Sequence, residues 1–118
     1  MLAIRGATTI TSNLSEDIKE ASIELFKELL LANDIKINDI VSLLFSCTND
    51  ITADYPGKFI RESFNLSNVA IMHFNEMHVE NTLKYCIRIL IFLDSSHLKD
   101  IKYVYLRGAK ELRLDLFN

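Results

Sequence analysis

The sequence predicts an α+β domain: a mixed five-stranded sheet covered by one long and one short helix. Three observations support this prediction. Five short segments are rich in β-branched and aromatic residues, one long segment has apolar residues at helical spacing, and the only proline opens a second helical pattern. The chain has 118 residues, which suits a single domain over residues 1–118 and is too short for two.

The first two elements are a strand and the long helix. The strand is expected over 2–10, where Gly6 interrupts the pattern and indicates a bulge or a close backbone approach. The helix is expected over 15–32, with Ser15 as its N-cap and Asn33 as its stop. Its apolar positions recur on one side, so one face of this helix should pack on the sheet.

The remaining elements complete a β-α-β-α-β-β-β order, and the tail after residue 106 stays unassigned. They are a strand over 39–47, a short helix over 56–64, and strands over 68–74, 84–93 and 101–106. The strand 84–93 is apolar on both faces, which implies burial on both sides. Because one chain offers too few helices to cover both faces, self-association is expected.

Composition and charge exclude several classes of protein. Thirteen Lys and Arg against sixteen Asp and Glu give a net charge of −3, unlike a general binder of nucleic acid or anionic membranes. No apolar run approaches the ~20 residues of a membrane helix, and the N-terminus lacks the pattern of a signal peptide. Cys47 and Cys86, without a CxxC motif, are expected to be buried reduced thiols in a cytoplasmic protein.

A few charged residues break the apolar pattern. Arg88 lies inside the apolar strand 84–93, where a guanidinium is costly unless it is paired. It is either satisfied by a structural carboxylate or a fixed donor facing a ligand pocket. Arg5 in the first strand is either an exposed strand charge or a second donor next to Gly6, which allows close approach of a ligand. Glu76 ends an apolar strand and is either a solvated loop acid or a residue of the site. Lys58 and Arg61 share one side of the short helix, as a solvated face or as a clamp for a dianionic ligand.

No motif for metal or covalent chemistry is present. The three histidines lack metal-ligand spacing, and no phosphate loop, serine elbow or Cys–His nucleophile pattern occurs. We therefore expect no metal and no cofactor, and any catalysis should be electrostatic.

Taken together in chain order, seven short motifs resemble the monofunctional AroH-class chorismate mutases. They are Ile4–Thr9 (IRGATT), Tyr55-Pro56-Gly57-Lys58, Arg61-Glu62, Asn75-Glu76-Met77, Cys86-Ile87-Arg88, Val104-Tyr105-Leu106 and Leu112-Arg113. The resemblance implies a Claisen [3,3]-sigmatropic rearrangement of chorismate to prephenate, a step of the shikimate pathway toward phenylalanine and tyrosine. It also implies a homotrimer with a pseudo-α/β-barrel core and active sites between neighbouring subunits.

The resemblance assigns roles to residues. Arg88 would donate to the ether oxygen of the breaking bond, Arg5 with Tyr105 would hold a carboxylate, and Glu76 would bind the ring hydroxyl. The remaining candidates would contact substrate: Tyr55, Gly57, Lys58, Arg61, Ile71, Met72, His73, Leu112 and Arg113.

The chain departs from the family pattern at four positions. Tyr55 and Gly57 stand where members commonly have Phe and Ala, and His73 where the best-known pattern has a Cys. Leu114 replaces a Pro in the tail.

Two other functions remain open from the sequence. A trimeric imine deaminase of the Rid kind resembles this fold and also places an interface Arg on a carboxylate. A non-catalytic trimer that senses a small ligand could keep the same scaffold.

Overall fold

The computed structural model describes residues 1–98 and 100–116, and for residues 113–116 the backbone alone. The strands are β1 (Leu2–Thr9), β2 (Ile40–Cys47), β3 (Ala70–Asn75), β4 (Cys86–Leu93) and β5 (Val104–Tyr105). They form one sheet in the order β3-β2-β4-β1-β5. The helices are α1 (Ser15–Asn33), α2 (Pro56–Phe64), a 3₁₀ turn (Ile37–Asp39) and a tail 3₁₀ helix (Arg107–Leu116).

The sheet is mixed, as the sequence predicts. β4 pairs antiparallel with both β1 and β2 at the centre, whereas β3 and β5 pair parallel with their neighbours at the edges. The fold is therefore the expected five-stranded α+β sheet with one long and one short helix.

The main core lies between the sheet and the two α-helices. Side chains of α1 such as Leu25, Phe26 and Leu29 are fully buried against Phe45 and Ile91 of the central strands. Alternation along the strands places every second residue on this face, which produces the apolar helix stripe and strand pattern seen in the sequence.

Gly6 marks a close approach rather than a bulge. A Cβ at this position would lie 2.8 Å from Leu29 Cδ1 and 3.2 Å from both Leu25 Cδ1 and the Val104 carbonyl oxygen. β1 pairs with β4 without interruption, and the irregularity of the sheet falls in β2, between Ile40 and Ser42.

The predicted start of the long helix and the predicted last strand differ from the structure, because polar side chains there form long-range hydrogen bonds. Helix α1 follows Leu14 as N-cap, with no side-chain cap bond, and the Ser15 hydroxyl donates to Asp54 instead. The predicted strand over 101–106 shrinks to two residues. Asn33 accepts from the Lys102 N–H and donates to the Lys102 carbonyl, so that part of the backbone pairs with a side chain rather than with a strand.

The opposite face of the sheet is only partly covered. The tail helix brings Ala109 against Ala7, Cys86 and Tyr105 in a small second core. Farther along that face Met72 and Phe74 remain 55% and 47% exposed. No helix within the described residues is long and apolar enough to cross a membrane.

Candidate active site

Arg88 is placed by the strand register at the centre of the partly covered face. Ser46 and Ala7 lie directly beside it on β2 and β1, and Phe74 and Tyr105 extend the row to the two edge strands. Because strand residues alternate between faces, this row points away from α1 and α2. Arg88 thus lies with Ser46 and Tyr105 in one row across the face of the sheet that is turned away from the two α-helices.

Glu76 is the carboxylate closest to Arg88. Arg88 Nε lies 3.0 Å from Glu76 Oε2, and about a third or less of each side chain is exposed. Arg88 Nε has no hydrogen-bond partner among the described residues, so this contact is an ion pair without an aligned N–H. Ser46 Oγ donates to the same carboxylate oxygen over 3.1 Å. Both protein contacts therefore fall on Oε2 of Glu76.

A cavity of about 320 Å³ opens on this row, and Arg5, Ser46, Phe74, Arg88 and Tyr105 are among the residues that line it. The Tyr105 hydroxyl is buried and has no hydrogen-bond partner in the described part of the chain. We call Arg5, Ser46, Glu76, Arg88 and Tyr105 the Arg88 cluster. Arg5, Arg88 and the unsatisfied Tyr105 phenol line this cavity, whereas Glu76 belongs to the cluster through its contacts with Arg88 and Ser46 and lines a separate pocket.

A second cleft lies between α2 and β3. It has a volume of about 230 Å³ and is lined by Tyr55, Gly57, Lys58, Arg61, Ile71 and His73. We call these six residues the Lys58 cleft. It gathers six of the nine predicted substrate contacts, but it lies on the helix-bearing side of the sheet.

Lys58 is held at this cleft by an acidic neighbour. Its Nζ lies 3.3 Å from Asp54 Oδ2, and Ser15 Oγ donates to that same oxygen over 2.8 Å. The Tyr55 N–H donates to Asp54 Oδ1, and this hydrogen bond is the largest cause that lowers the pKa of Asp54. The hydrogen bond from the Ser15 hydroxyl is the second cause. Asp54 is therefore ionised at neutral pH and holds the ammonium group of Lys58.

His73 forms the wall of the Lys58 cleft. Its ring stacks on Phe45 with centroids 5.1 Å apart, and Tyr55 packs edge-on against it. Its Nε2 accepts from the Gly57 N–H over 3.0 Å. Burial first, and then the nearby Arg61 charge, lower the pKa of His73, so the ring is neutral at pH 7.

The structure separates the predicted site residues into these two groups. His73 and Phe74 are consecutive on β3, yet one lines the Lys58 cleft and the other the cavity of the Arg88 cluster. Met72 shares its face with Phe74 and lies apart from Ile71 and His73. Leu112 packs near Tyr105 in the small core, and the Arg113 side chain lies outside the described residues.

Two residues of the site were not predicted from the sequence. Ser46 contacts Glu76, and its signal was a hydroxyl between Phe45 and Cys47 in a mostly apolar strand. Asp54 contacts Lys58 from four residues earlier, a spacing that favours an ion pair on a helix.

The two thiols are free and buried, as expected, and no site includes them. Burial is the main cause that raises the pKa of Cys47 to about 12, and burial also raises the pKa of Cys86. Neither is a ready nucleophile at neutral pH.

Comparisons with known proteins agree with one another. The sequence matches the family "Chorismate mutase type I" over residues 1–116. It is 35% identical over 114 residues to chorismate mutase AroH of Bacillus subtilis (strain 168), covering 96% of this chain and 90% of that protein. It is 32% identical over 115 residues to chorismate mutase AroH of Thermus thermophilus, covering 96% and 93%. The solved structure of a chorismate mutase from Clostridium thermocellum superposes with a TM-score of 0.88 at 35% identity, covering 94% of this chain and 99% of that one.

Proposed function

The chain belongs to the chorismate mutase type I family, and from this premise we propose that chorismate becomes prephenate where the Arg88 cluster of one subunit faces the Lys58 cleft of a neighbour. The activity is that of an isomerase in aromatic amino acid biosynthesis. The observation that carries the proposal is the division of the site: one chain holds two incomplete groups of cations on opposite faces of its sheet.

The reaction can be catalysed by electrostatic stabilisation of its transition state. In a [3,3]-sigmatropic rearrangement the electrons move within the substrate, so no nucleophile, metal or cofactor is needed. When C–O cleavage runs ahead of C–C bonding, negative charge develops on the ether oxygen. An Arg88 N–H aimed at that oxygen binds the transition state more strongly than the ground state, and one such donor is worth roughly 3–4 kcal/mol.

Arg88 is suited to this role because its strand fixes it. The central position on β4 limits motion of its backbone, and the ion pair with Glu76 directs the guanidinium while leaving Nε without an aligned partner. Glu76 receives Ser46 and Arg88 on Oε2, so its other oxygen is available to accept from the ring hydroxyl.

The remaining cations suit the two carboxylates of chorismate. Arg5 and Tyr105 would bind one from the Arg88 cluster, and Lys58 with Arg61 would bind the other from the neighbouring subunit. Held at both ends, the flexible enolpyruvyl arm loses conformers that cannot react, which lowers the barrier further. A chain with a net charge of −3 can thus attract a dianion because its cations are locally concentrated.

The assembly that would join the two groups is a homotrimer. The partly covered face carries exposed Met72 and Phe74 close to Arg88, so a neighbour that covers these side chains would also close the cavity. We place the enzyme in the cytoplasm, where the buried thiols Cys47 and Cys86 stay reduced.

The test is the reaction itself. Chorismate absorbance should fall when the protein is added, and acid treatment should convert the product to phenylpyruvate, which identifies prephenate. Hydrolysis of an imine without loss of chorismate would instead indicate the deaminase. Binding of chorismate without turnover would indicate a sensor.

A further inference from the structure

Helix α2 begins without a local cap. Tyr55 is its N-cap residue and provides no side-chain hydrogen bond, and Pro56 follows as the first helical residue. The next N–H, that of Gly57, is one of the orphan donors that every helix start leaves. His73 Nε2 accepts this N–H over 3.0 Å from strand β3. A side chain of the sheet therefore caps the helix that carries Lys58 and Arg61.

The cap depends on the missing side chain of Gly57. A Cβ there would lie 2.9 Å from both Cε1 and Nε2 of His73, and 2.7 Å from Ile71 Cγ2. Carbon atoms do not approach that closely without displacement. The imidazole thus occupies the space that a methyl group would need, so a ring placed at 73 in this way requires a glycine at 57.

The protonation state of the ring matches an acceptor. Only the neutral ring with its proton on Nδ1 can accept at Nε2. Partial burial and the Arg61 charge both lower the pKa of His73, which keeps this form at neutral pH. Stacking on Phe45 and contact with Tyr55 fix the ring plane from both sides.

We infer that Gly57 and His73 form one positioning unit that caps α2 and thereby sets where Lys58 and Arg61 meet the anionic substrate. The inference rests on the binding role proposed above for the Lys58 cleft. It makes His73 a positioning residue that acts through the helix, with Nε2 committed to the protein rather than to the substrate.

The first test reads substrate affinity in a cycle of four proteins: wild type, Gly57→Ala, His73→Ala and the double variant. We expect Gly57→Ala to raise KM about five- to tenfold, the cost of overpacking, while kcat changes less than about twofold. In the His73→Ala background the added methyl meets no ring, and we expect the Ile71 methyl, the other close neighbour, to shift into the space that the ring leaves. The same substitution should therefore change KM there by less than about twofold.

His97→Ala is the matched control, since it removes an exposed imidazole whose hydrogen bonds, within the described residues, go to Ser95 and the Asp34 carbonyl. It should keep wild-type kinetics. Equal KM effects of Gly57→Ala in both backgrounds would overturn the inference. So would a loss of kcat in His73→Ala that exceeds its change in KM, because that would place His73 on the reacting atoms.

The second test is independent of turnover. Long-range ¹H–¹⁵N NMR of the imidazoles at pH 7.5 should show His73 with Nε2 unprotonated and Nδ1 protonated. A protonated Nε2 would refute the cap even if every variant misfolded. If the wild-type protein does not convert chorismate to prephenate, the proposed function is wrong. The nitrogen resonances test the cap independently of that result.

Discussion

Arg88 is the residue whose chemistry departs most from its surroundings. Its neighbours along β4 are apolar, yet its side chain reaches an open cavity and pairs with Glu76. Arg88→Ala should lower kcat at least ~10²-fold while the protein stays folded, on the scale of losing an oxyanion donor. Arg88→Lys keeps the charge without the planar fork and should recover only part of that rate. Steady-state kinetics with circular dichroism measure both, and near-normal kcat in Arg88→Ala would make Arg88 a structural ion-pair partner.

His73 links stability to pH with a definite sign. Its pKa in the folded protein lies below the ordinary 6.5 of the unfolded chain. Below pH 6.5 the unfolded chain therefore binds a proton that the folded protein resists, and stability is lost as pH falls toward the folded pKa. The charged and titratable groups around the ring are Lys58, Arg61, Tyr55, Asp54 and Cys47.

We expect the stability advantage of wild type over His73→Ala to be largest above pH 7 and to shrink as pH falls through 6.5. Chemical denaturation of the two proteins across this range measures it, and the subtraction removes carboxylates common to both. An advantage that stays constant or grows toward acid pH would show that the folded protein does not favour the neutral ring.

At the residue scale, the sequence revealed charges but not all of their partners. A guanidinium in an apolar strand is conspicuous, so the strand pattern singled out Arg88 and Arg5 as candidates, and the family resemblance then gave them roles. Ser46 and Asp54 act through contacts with Glu76 and Lys58 that only the fold brings about. The two cavities could not be foreseen either, because alternation on β3 sends His73 and Phe74 to opposite faces.

At the element scale, the contact between α1 and β1 depends on Gly6. A methyl group there would meet Leu29, Leu25 and the Val104 carbonyl at 2.8–3.2 Å. Gly6→Ala should lower the free energy of unfolding by about 1–3 kcal/mol, the range for overpacked cores. Gly108→Ala is the matched control and should cost less, since the three described atoms nearest to its Cβ all belong to the Thr9 side chain, at 3.0–3.7 Å.

Chemical denaturation at one protein concentration compares the two glycine variants. Equal losses of stability would mean that close packing of α1 on β1 does not explain the glycine at position 6.

Periodicity predicted the elements well wherever apolar spacing was strong. Helix α1 and the central strands begin and end within one or two residues of the expected bounds, because their burial follows periods of 3.6 and 2. The failures lie where a polar side chain forms a long-range hydrogen bond that periodicity does not reveal. The Asn33 side chain accepts the Lys102 N–H, so β5 is shorter than predicted. The Ser15 hydroxyl donates to Asp54 and does not cap α1.

At the scale of the whole molecule, the exposed apolar side chains beside Arg88 predict an oligomer. Light scattering at micromolar concentration should give a mass three times the 13.6 kDa of one chain. Phe74→Glu, which places a carboxylate on the partly covered face, should lower that mass and the activity together. A monomer mass for wild type, or an active monomeric Phe74→Glu, would contradict the proposed assembly.

The most direct test of a site shared between subunits is to combine two defective variants. Arg88→Ala and Arg61→Ala damage opposite halves, so a random mixed trimer should contain about one intact site in four, since each site draws on two adjacent chains. Equal co-expression should then give about a quarter of the wild-type kcat/KM, well above either variant alone. A value no higher than the mean of the two variants would show that Arg88 and Arg61 act within one chain, and would contradict the account.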